Sequence, residues 1–295
     1  MFVHLNGKLV PAQDASVSVF DHGFLYGDGI YETMRGYNRV IFMLDEHLKR
    51  LYRSASLIGL PIPWGKDNLR IALYETLLAN NLNDAYLRLT VTRGRGPVGL
   101  DPGLCPEPTV VIIAHELKPY PESFYKKGIA LMIARTRRNL REAIDPAIKS
   151  LNFLNNILAK IEAKKAGAYE AIMLNARGNL AEGTISNLFF FSDGILCTPS
   201  AECGILDGIT RGLILQLAAR LGFRVREGEF RRGALYSSDE VFVTNTTFEV
   251  MPVTRADKKE YAVGKKTRLL HKAYRKEVSA YVANIKAGMH LSGND

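Results

Sequence analysis

Cysteine is scarce in this 295-residue chain, with only Cys105, Cys197 and Cys203, far apart in sequence. An odd, scattered set excludes a disulfide framework and a thiolate zinc site, and it predicts a reducing, cytoplasmic compartment. Histidine is equally thin. The six, His4, His22, His47, His115, His271 and His290, form no metal-ligand pair and give little support for a histidine general base, so no metal is expected. No apolar run approaches the roughly 20 residues of a membrane helix. The first eight residues lack the basic start, apolar core and small-residue cleavage site of a secretory leader, so no membrane partner is expected. A phosphate-loop signature and a serine nucleophile elbow are also missing.

What is present is the composition of an ordinary globular protein. It is 47% hydrophobic and 23% charged, with 25 glycines and 12 prolines spread along the chain, which excludes disordered and fibrous classes. At about 150 residues per domain, the length predicts two domains. The 39 Lys and Arg against 30 Asp and Glu leave a charge of +9, which raises the idea of a basic nucleic-acid-binding protein. However, residues 252–295 hold 10 Lys and Arg against 4 Asp and Glu, so most of the excess fits one solvated helix face. With no recognised binding module, no nucleic acid is expected.

Asn6-Gly7 between two apolar runs predicts a tight hairpin, because Asn-Gly supplies the positive φ angles of a two-residue turn. A glycine-rich bend at Gly23, Gly27 and Gly29 leads into an apolar and aromatic strand. Leu44, Leu48, Leu51, Ala55 and Ile58 recur at threes and fours, predicting a helix over 44–60 with Arg50 beside the stripe. A second helix at 67–80 precedes a strand at 85–92 of strict alternation. There Leu87, Leu89 and Val91 face a core, and Tyr86, Arg88, Thr90 and Thr92 face something polar. Strands at 109–114 and 129–134 flank Pro119-Tyr120-Pro121, which places a domain boundary: 1–118, a linker at 119–127, and 128–295. The second half alternates a helix at 151–167, a strand at 171–174, a hairpin at 187–198 turning at Asp193-Gly194, a helix at 209–221, a strand at 241–244 and a helix at 267–284. Mixed sheets with packed helices, in an α/β or α+β class, follow.

Four local features could carry chemistry. Lys149 stands where a loop gives way to an apolar helix; loss of hydration there favours the neutral, nucleophilic amine, although an exposed helix-start lysine has the same pattern. Glu182, in Glu182-Gly183-Thr184, precedes the very apolar Leu188-Phe189-Phe190-Phe191 and needs a cationic or N–H partner if buried. Gly208-Ile209-Thr210-Arg211 opens a helix whose free N–H groups suit an anion. Thr244-Asn245-Thr246-Thr247-Phe248-Glu249 is a strand running into a turn that could bind phosphate or carboxylate, or be an ordinary loop.

In order and spacing, these pieces resemble the class IV aminotransferases, pyridoxal-phosphate enzymes of fold type IV, and among them the branched-chain amino acid aminotransferases. The resemblance spans Asn6-Gly7 to about residue 280. It implies a smaller N-terminal α/β sandwich and a larger C-terminal mixed-sheet pseudo-barrel, with pyridoxal 5′-phosphate between them. Lys149 would be the Schiff-base lysine and proton shuttle of a ping-pong transamination to 2-oxoglutarate. Glu182 would face the pyridine nitrogen, and Arg50, Ile209, Thr210 and Thr246 would hold the phosphate. Tyr31, Thr33 and Arg35 would line the substrate pocket. Tyr86 and the Thr246-Thr247 turn would take the α-carboxylate, and Arg88 with Tyr26 the side-chain carboxylate of glutamate. Val98 and Leu100 would reach a neighbouring subunit's site, implying a homodimer with shared site residues. D-amino acid transaminases resemble the chain at Tyr31-Glu32 and Lys149-Ser150-Leu151-Asn152, but they use an arginine and a histidine two residues later in the loop after 92–94. Here no histidine lies between His47 and His115. Aminodeoxychorismate lyase, a third member of the fold, shares Lys149 and Glu182 but performs elimination.

Overall fold

The computed structural model describes residues 1–291; residues 292–295, the end of the expected second domain, lie outside the described residues. The chain packs as two compact units. One takes Met1–Lys118, Ile148–Asn152 and the chain from Val278 on, and the other takes Pro119–Ala147 and Phe153–Glu277. No helix among the described residues is long and apolar enough to cross a membrane.

The first unit contains β1 (Phe2–Leu5), β2 (Lys8–Pro11), α1 (His22–Tyr26), β3 (Gly29–Tyr37), β4 (Val40–Ile41), α2 (Leu44–Leu57), α3 (Lys66–Ala79), β5 (Ala85–Thr92) and β6 (Thr109–Glu116). The strands form one antiparallel sheet in the order β2-β1-β6-β5-β3-β4. Its opening hairpin turns through Asn6 and Gly7 at φ 46° and 88°, the left-handed values that the Asn-Gly pair tolerates. Alternation then sorts the side chains. Ile30, Met34, Leu87, Leu89, Val91, Val110 and Ile112 bury one face against Leu44, Leu48 and Leu51 of α2 and Leu69, Leu73 and Leu77 of α3. Each such side chain contributes about 1.5–3 kcal/mol when fully buried. The opposite face carries Tyr31, Thr33 and Arg35 of β3 and Tyr86 and Arg88 of β5.

Residues 151 and 152 differ from expectation. Instead of opening the next helix, they lie with 148–150 beside β3: the Tyr31 N–H donates to the Lys149 carbonyl (3.0 Å), and the Leu151 N–H to that of Gly29 (2.9 Å). Ile30 and Ser150 form the bridge pair. Glycine is required at position 29, because a Cβ would stand 2.7 Å from Leu151 Cδ1 and 2.8 Å from the Val91 carbonyl oxygen. The helix therefore begins at Leu154, not at Leu151.

The second unit adds α4 (Glu122–Lys127), β7 (Ile129–Ile133), α5 (Leu154–Lys165), β8 (Glu170–Leu174), β9 (Leu180–Gly183), β10 (Asn187–Ser192), β11 (Ile195–Pro199), α6 (Ile209–Arg220), β12 (Val225–Gly228), α7 (Arg232–Tyr236), β13 (Glu240–Asn245), β14 (Glu249–Ala256), β15 (Lys259–Glu260) and α8 (Lys265–Leu291). Its mixed sheet runs β12-β11-β10-β13-β14-β7-β8-β9, and β9 also pairs with β10. That last pairing, Glu182 opposite Asn187, closes six strands into a ring. The result is a pseudo-barrel with Glu182 at its seam. The interior is dominated by aliphatic and aromatic side chains such as Leu131, Ile172, Leu188, Phe190, Val243 and Val253. Burial of every residue in Asn187-Leu188-Phe189-Phe190-Phe191 explains why β10 reads as a continuous apolar run without alternation.

Candidate active site

Lys149 is held from both sides of its backbone, since its carbonyl accepts from Tyr31 and its N–H donates to Ser54 Oγ at 3.2 Å. With the main chain fixed, Nζ donates to the Tyr31 hydroxyl at 3.1 Å and stands 4.3 Å from the ring centroid. The Arg88 guanidinium packs over the same ring at 4.0 Å. Tyr31, only 8% exposed, therefore joins the amine to a fixed cation. Thr33 is the cross-strand partner of Arg88, and Arg35 that of Tyr86. Tyr86 stacks on His115 with centroids 4.6 Å apart, and Arg35 lies over Tyr37. These residues form one polar surface of the first unit. The Tyr26 hydroxyl, at the end of α1, accepts the Gly99 N–H at 3.1 Å, tying α1 to the loop that presents Val98 and Leu100 at 72% and 83% exposure.

Arg50 is buried, and its Nε and Nη2 clasp the two oxygens of Glu32 at 2.7 and 2.8 Å. His47 Nδ1, which must be the donor to a carboxylate, binds Glu32 Oε2 at 2.7 Å. A glutamate on the core face of β3 is tolerated because α2 supplies both partners from positions three apart. Burial alone would push the Glu32 carboxyl up, but Arg50 and His47 outweigh it and hold the group well below the usual carboxylate range. Burial pushes His47 down in spite of Glu32, and it also pushes His4 down, so both take up a proton less readily in the fold than in the unfolded chain. An unfolded histidine takes a proton near pH 6.5. The unfolded chain thus binds more protons below that pH, and stability is full above about 6.5 and falls as the pH drops. We expect the melting temperature to decline from pH 7 to pH 5, and His47→Gln or His4→Gln to flatten that decline. Slopes equal to the parent's in both variants would contradict this.

In the second unit, Glu182 is 5% exposed. Its Oε1 accepts Arg138 Nε at 2.8 Å, and its Oε2 accepts the Leu206 N–H at 3.0 Å and Asn187 Nδ2 at 3.4 Å. Asn187 also donates to the Leu206 carbonyl at 2.9 Å, which leaves no room for a side chain at Gly208: a Cβ there would stand 2.0 Å from Asn187 Oδ1. Gly208 caps α6 with no side-chain hydrogen bond, so the N–H groups around Ile209 and Thr210 keep their donors for an anion. Thr244 Oγ1, one strand across from Asn187, is buried with no partner among the described residues. The 245–249 turn is braced by its own hydrogen bonds. Asn245 Oδ1 accepts from the N–H groups of Thr247 (2.9 Å) and Phe248 (2.8 Å), and Thr247 Oγ1 lies 3.4 Å from the Tyr120 hydroxyl. Thr246 heads that turn.

Sequence reasoning missed Glu32, His47, Ser54, Arg138 and Asn187. Alternation along β3, which puts Glu32 on the core face, was the available signal for the first two.

The Amino-transferase class IV family model matches residues 29–256. The chain belongs to the class IV aminotransferases. It is 46% identical over 257 residues to the "Putative branched-chain-amino-acid aminotransferase" of Methanocaldococcus jannaschii, covering 87% of this chain and 88% of that one. It is 38% identical over 283 residues to a D-alanine aminotransferase of Listeria monocytogenes, covering 94% and 96%. Among solved structures, a T.th. branched-chain amino acid aminotransferase with pyridoxamine 5′-phosphate superposes with TM-score 0.91 at 32% identity, covering 95% of this chain and 94% of that one. As in those fold type IV enzymes, this class IV aminotransferase combines an N-terminal α/β sandwich with a mixed-sheet pseudo-barrel. Each unit taken by itself carries residues whose chemistry fits part of a pyridoxal-phosphate cofactor: an amine at Lys149 in the first, and a buried carboxylate at Glu182 and a helix start without a side-chain cap at Gly208 in the second.

Proposed function

We propose that this class IV aminotransferase moves the amino group of a branched-chain L-amino acid to 2-oxoglutarate. The cofactor is pyridoxal 5′-phosphate, which when bound supplies an electron sink for the charge left at Cα. Lys149 is the attaching amine and carries the proton between Cα and the cofactor. Glu182 stabilises a protonated ring nitrogen, and Arg50, the N–H groups at Ile209 and Thr210, and Thr246 bind the phosphate dianion. Tyr86 and the Thr246-Thr247 turn take the α-carboxylate. Tyr31, Thr33 and Arg35 shape the side-chain pocket, and Tyr26 completes the set with Arg88.

The observation that carries the substrate reading is the Arg88 guanidinium over Tyr31, 4.0 Å from its ring, with the Lys149 amine on that tyrosine's hydroxyl. A fixed cation beside the reacting amine suits the distal carboxylate of glutamate, while the aromatic ring and Thr33 suit a branched apolar chain. The chain has no histidine between His47 and His115, which disfavours a carboxylate trap of the D-amino acid type. A homodimer is part of the reading, because Val98, Leu100 and Phe24 are exposed apolar side chains clustered on one loop and the neighbouring helix, ready for a second copy. The protein works free in the cytoplasm, where its three unpaired cysteines stay reduced.

Single-turnover mixing of the cofactor-loaded enzyme with L-leucine, L-glutamate, D-alanine and D-glutamate tests this. The two L-donors should shift the cofactor absorbance; a shift with the D-donors alone would replace this reading by the D-amino acid one, and pyruvate release from aminodeoxychorismate by the lyase one. Arg88→Ala should lower kcat/KM for 2-oxoglutarate by about 10²-fold, the scale for stranding a buried charge partner, and that for L-leucine much less. Equal losses would mean that Arg88 is structural.

A further inference from the structure

The Glu182 carboxylate has a fixed cation of its own. Arg138 lies between β7 and the pseudo-barrel seam, and its N–H donates to the Leu174 carbonyl at 2.9 Å, so its main chain is anchored to the end of β8. Its guanidinium is then divided. Nε donates to Glu182 Oε1 at 2.8 Å, and Nη1 donates to Asn155 Oδ1 at 3.1 Å and Asn156 Oδ1 at 3.5 Å. Both asparagines are themselves tied down: Asn155 Nδ2 donates to the Arg137 carbonyl, and Asn156 Nδ2 to that of Thr184, each at 2.7 Å. The ion pair is dry, with the Arg138 and Glu182 side chains 9% and 6% exposed. A planar guanidinium braced by two amides cannot swing away from the carboxylate, and Lys could not reproduce its fork.

From this arrangement we infer that Arg138 is a positioning residue that fixes where a proton resides: by holding Glu182 as the anion, it keeps the proton of the Glu182–pyridine contact on the cofactor's ring nitrogen. The inference rests on the reading that Glu182 faces that nitrogen. A carboxylate and a pyridine have similar proton affinities, so one proton between them can rest on either. A guanidinium at 2.8 Å favours the charged carboxylate, and the Leu206 N–H on Oε2 acts in the same direction. With those donors in place the ring nitrogen retains the proton and the electron sink is strong. Without Arg138 the carboxyl group takes the proton, and the ring is left neutral although the hydrogen bond survives.

The test loads pyridoxal phosphate labelled with ¹⁵N at the ring nitrogen into the parent enzyme and into the variants Glu182→Gln, Arg138→Gln and Arg138→Lys, and follows the ¹⁵N resonance from pH 6 to pH 9. The parent should show the protonated position and Glu182→Gln the neutral one. Arg138→Gln should also move to the neutral position and lose about 10²-fold in turnover, on the scale of removing one preorganised charge-stabilising contact. Arg138→Lys should recover most of the protonated signal and most of the turnover. A protonated signal in Arg138→Gln, with Glu182→Gln neutral, overturns the role of Arg138 and leaves the Glu182 reading intact. A protonated signal in Glu182→Gln overturns the reading beneath it. If Arg138→Gln does not fold, Arg138→Met, which keeps the bulk of the side chain without its charge, decides: a protonated signal like the parent's contradicts the inference, and a neutral signal supports it.

Discussion

Lys149→Ala is expected to lower transamination by at least about 10³-fold, because one residue then ceases to serve as both nucleophile and proton carrier. The fold should survive. The contacts that place Lys149 are made by its backbone, with the Tyr31 N–H and Ser54 Oγ as partners, and they persist in alanine. Among the described residues, the side-chain hydrogen bond lost is the one to the Tyr31 hydroxyl. A melting temperature near that of the parent, with turnover abolished, is the expected pair of results; residual turnover within tenfold of the parent would move the amine to another lysine.

Glu182→Gln is the second large effect, about 10²- to 10³-fold in kcat, since a neutral amide cannot stabilise a protonated ring nitrogen. Here stability should fall as well. Arg138 would keep a hydrogen-bond acceptor but lose its counter-charge in a dry site, and breaking a buried pair costs about 3–5 kcal/mol when no acceptor remains, so a smaller loss is expected. Glu182→Asp, which retains the charge but draws it back from Arg138 and Leu206, should recover part of both quantities. Loss of stability without loss of kcat would confine Glu182 to holding the barrel seam.

The features that point to Lys149 and Glu182 were more legible in the sequence than their placement. Lys149 and Glu182 are visible because each is an ionisable residue beside an apolar stretch, a pattern that calls for a partner. The Asn6-Gly7 hairpin and the alternation of β5 are visible because they depend on neighbours in sequence. By contrast, the pairing of residues 148–152 with β3 joins positions far apart in the chain, and it replaces the first turn of a helix that local periodicity favours. Pro252 hides β14: it interrupts the donor pattern of a strand, yet Pro252 stands opposite Phe242 in the ladder with β13. The short β9 is hidden because Asn179 to Gly183 mixes Leu180 and Ala181 with Asn, Glu and Gly and shows no alternation, and it becomes a strand only through pairing with β8 and the single bridge to Asn187.

Arg50 shows a different limit. Its place beside the apolar stripe of α2 is readable, whereas the Glu32 and His47 partners that fix its guanidinium require the tertiary packing of α2 on β3. Arg138 was invisible for the same reason. It stands among Arg135, Arg137 and Arg141 in a stretch that reads as solvated charge, and only the fold separates it from them by turning it onto Glu182.

The proposed transamination depends most directly on Lys149 carrying the cofactor. Reduction of the pyridoxal-phosphate-loaded enzyme with borohydride, followed by proteolysis and mass spectrometry, should find the phosphopyridoxyl adduct on the peptide containing Lys149. An adduct on a different lysine, or a protein that takes up no pyridoxal phosphate and yields no adduct, would contradict it.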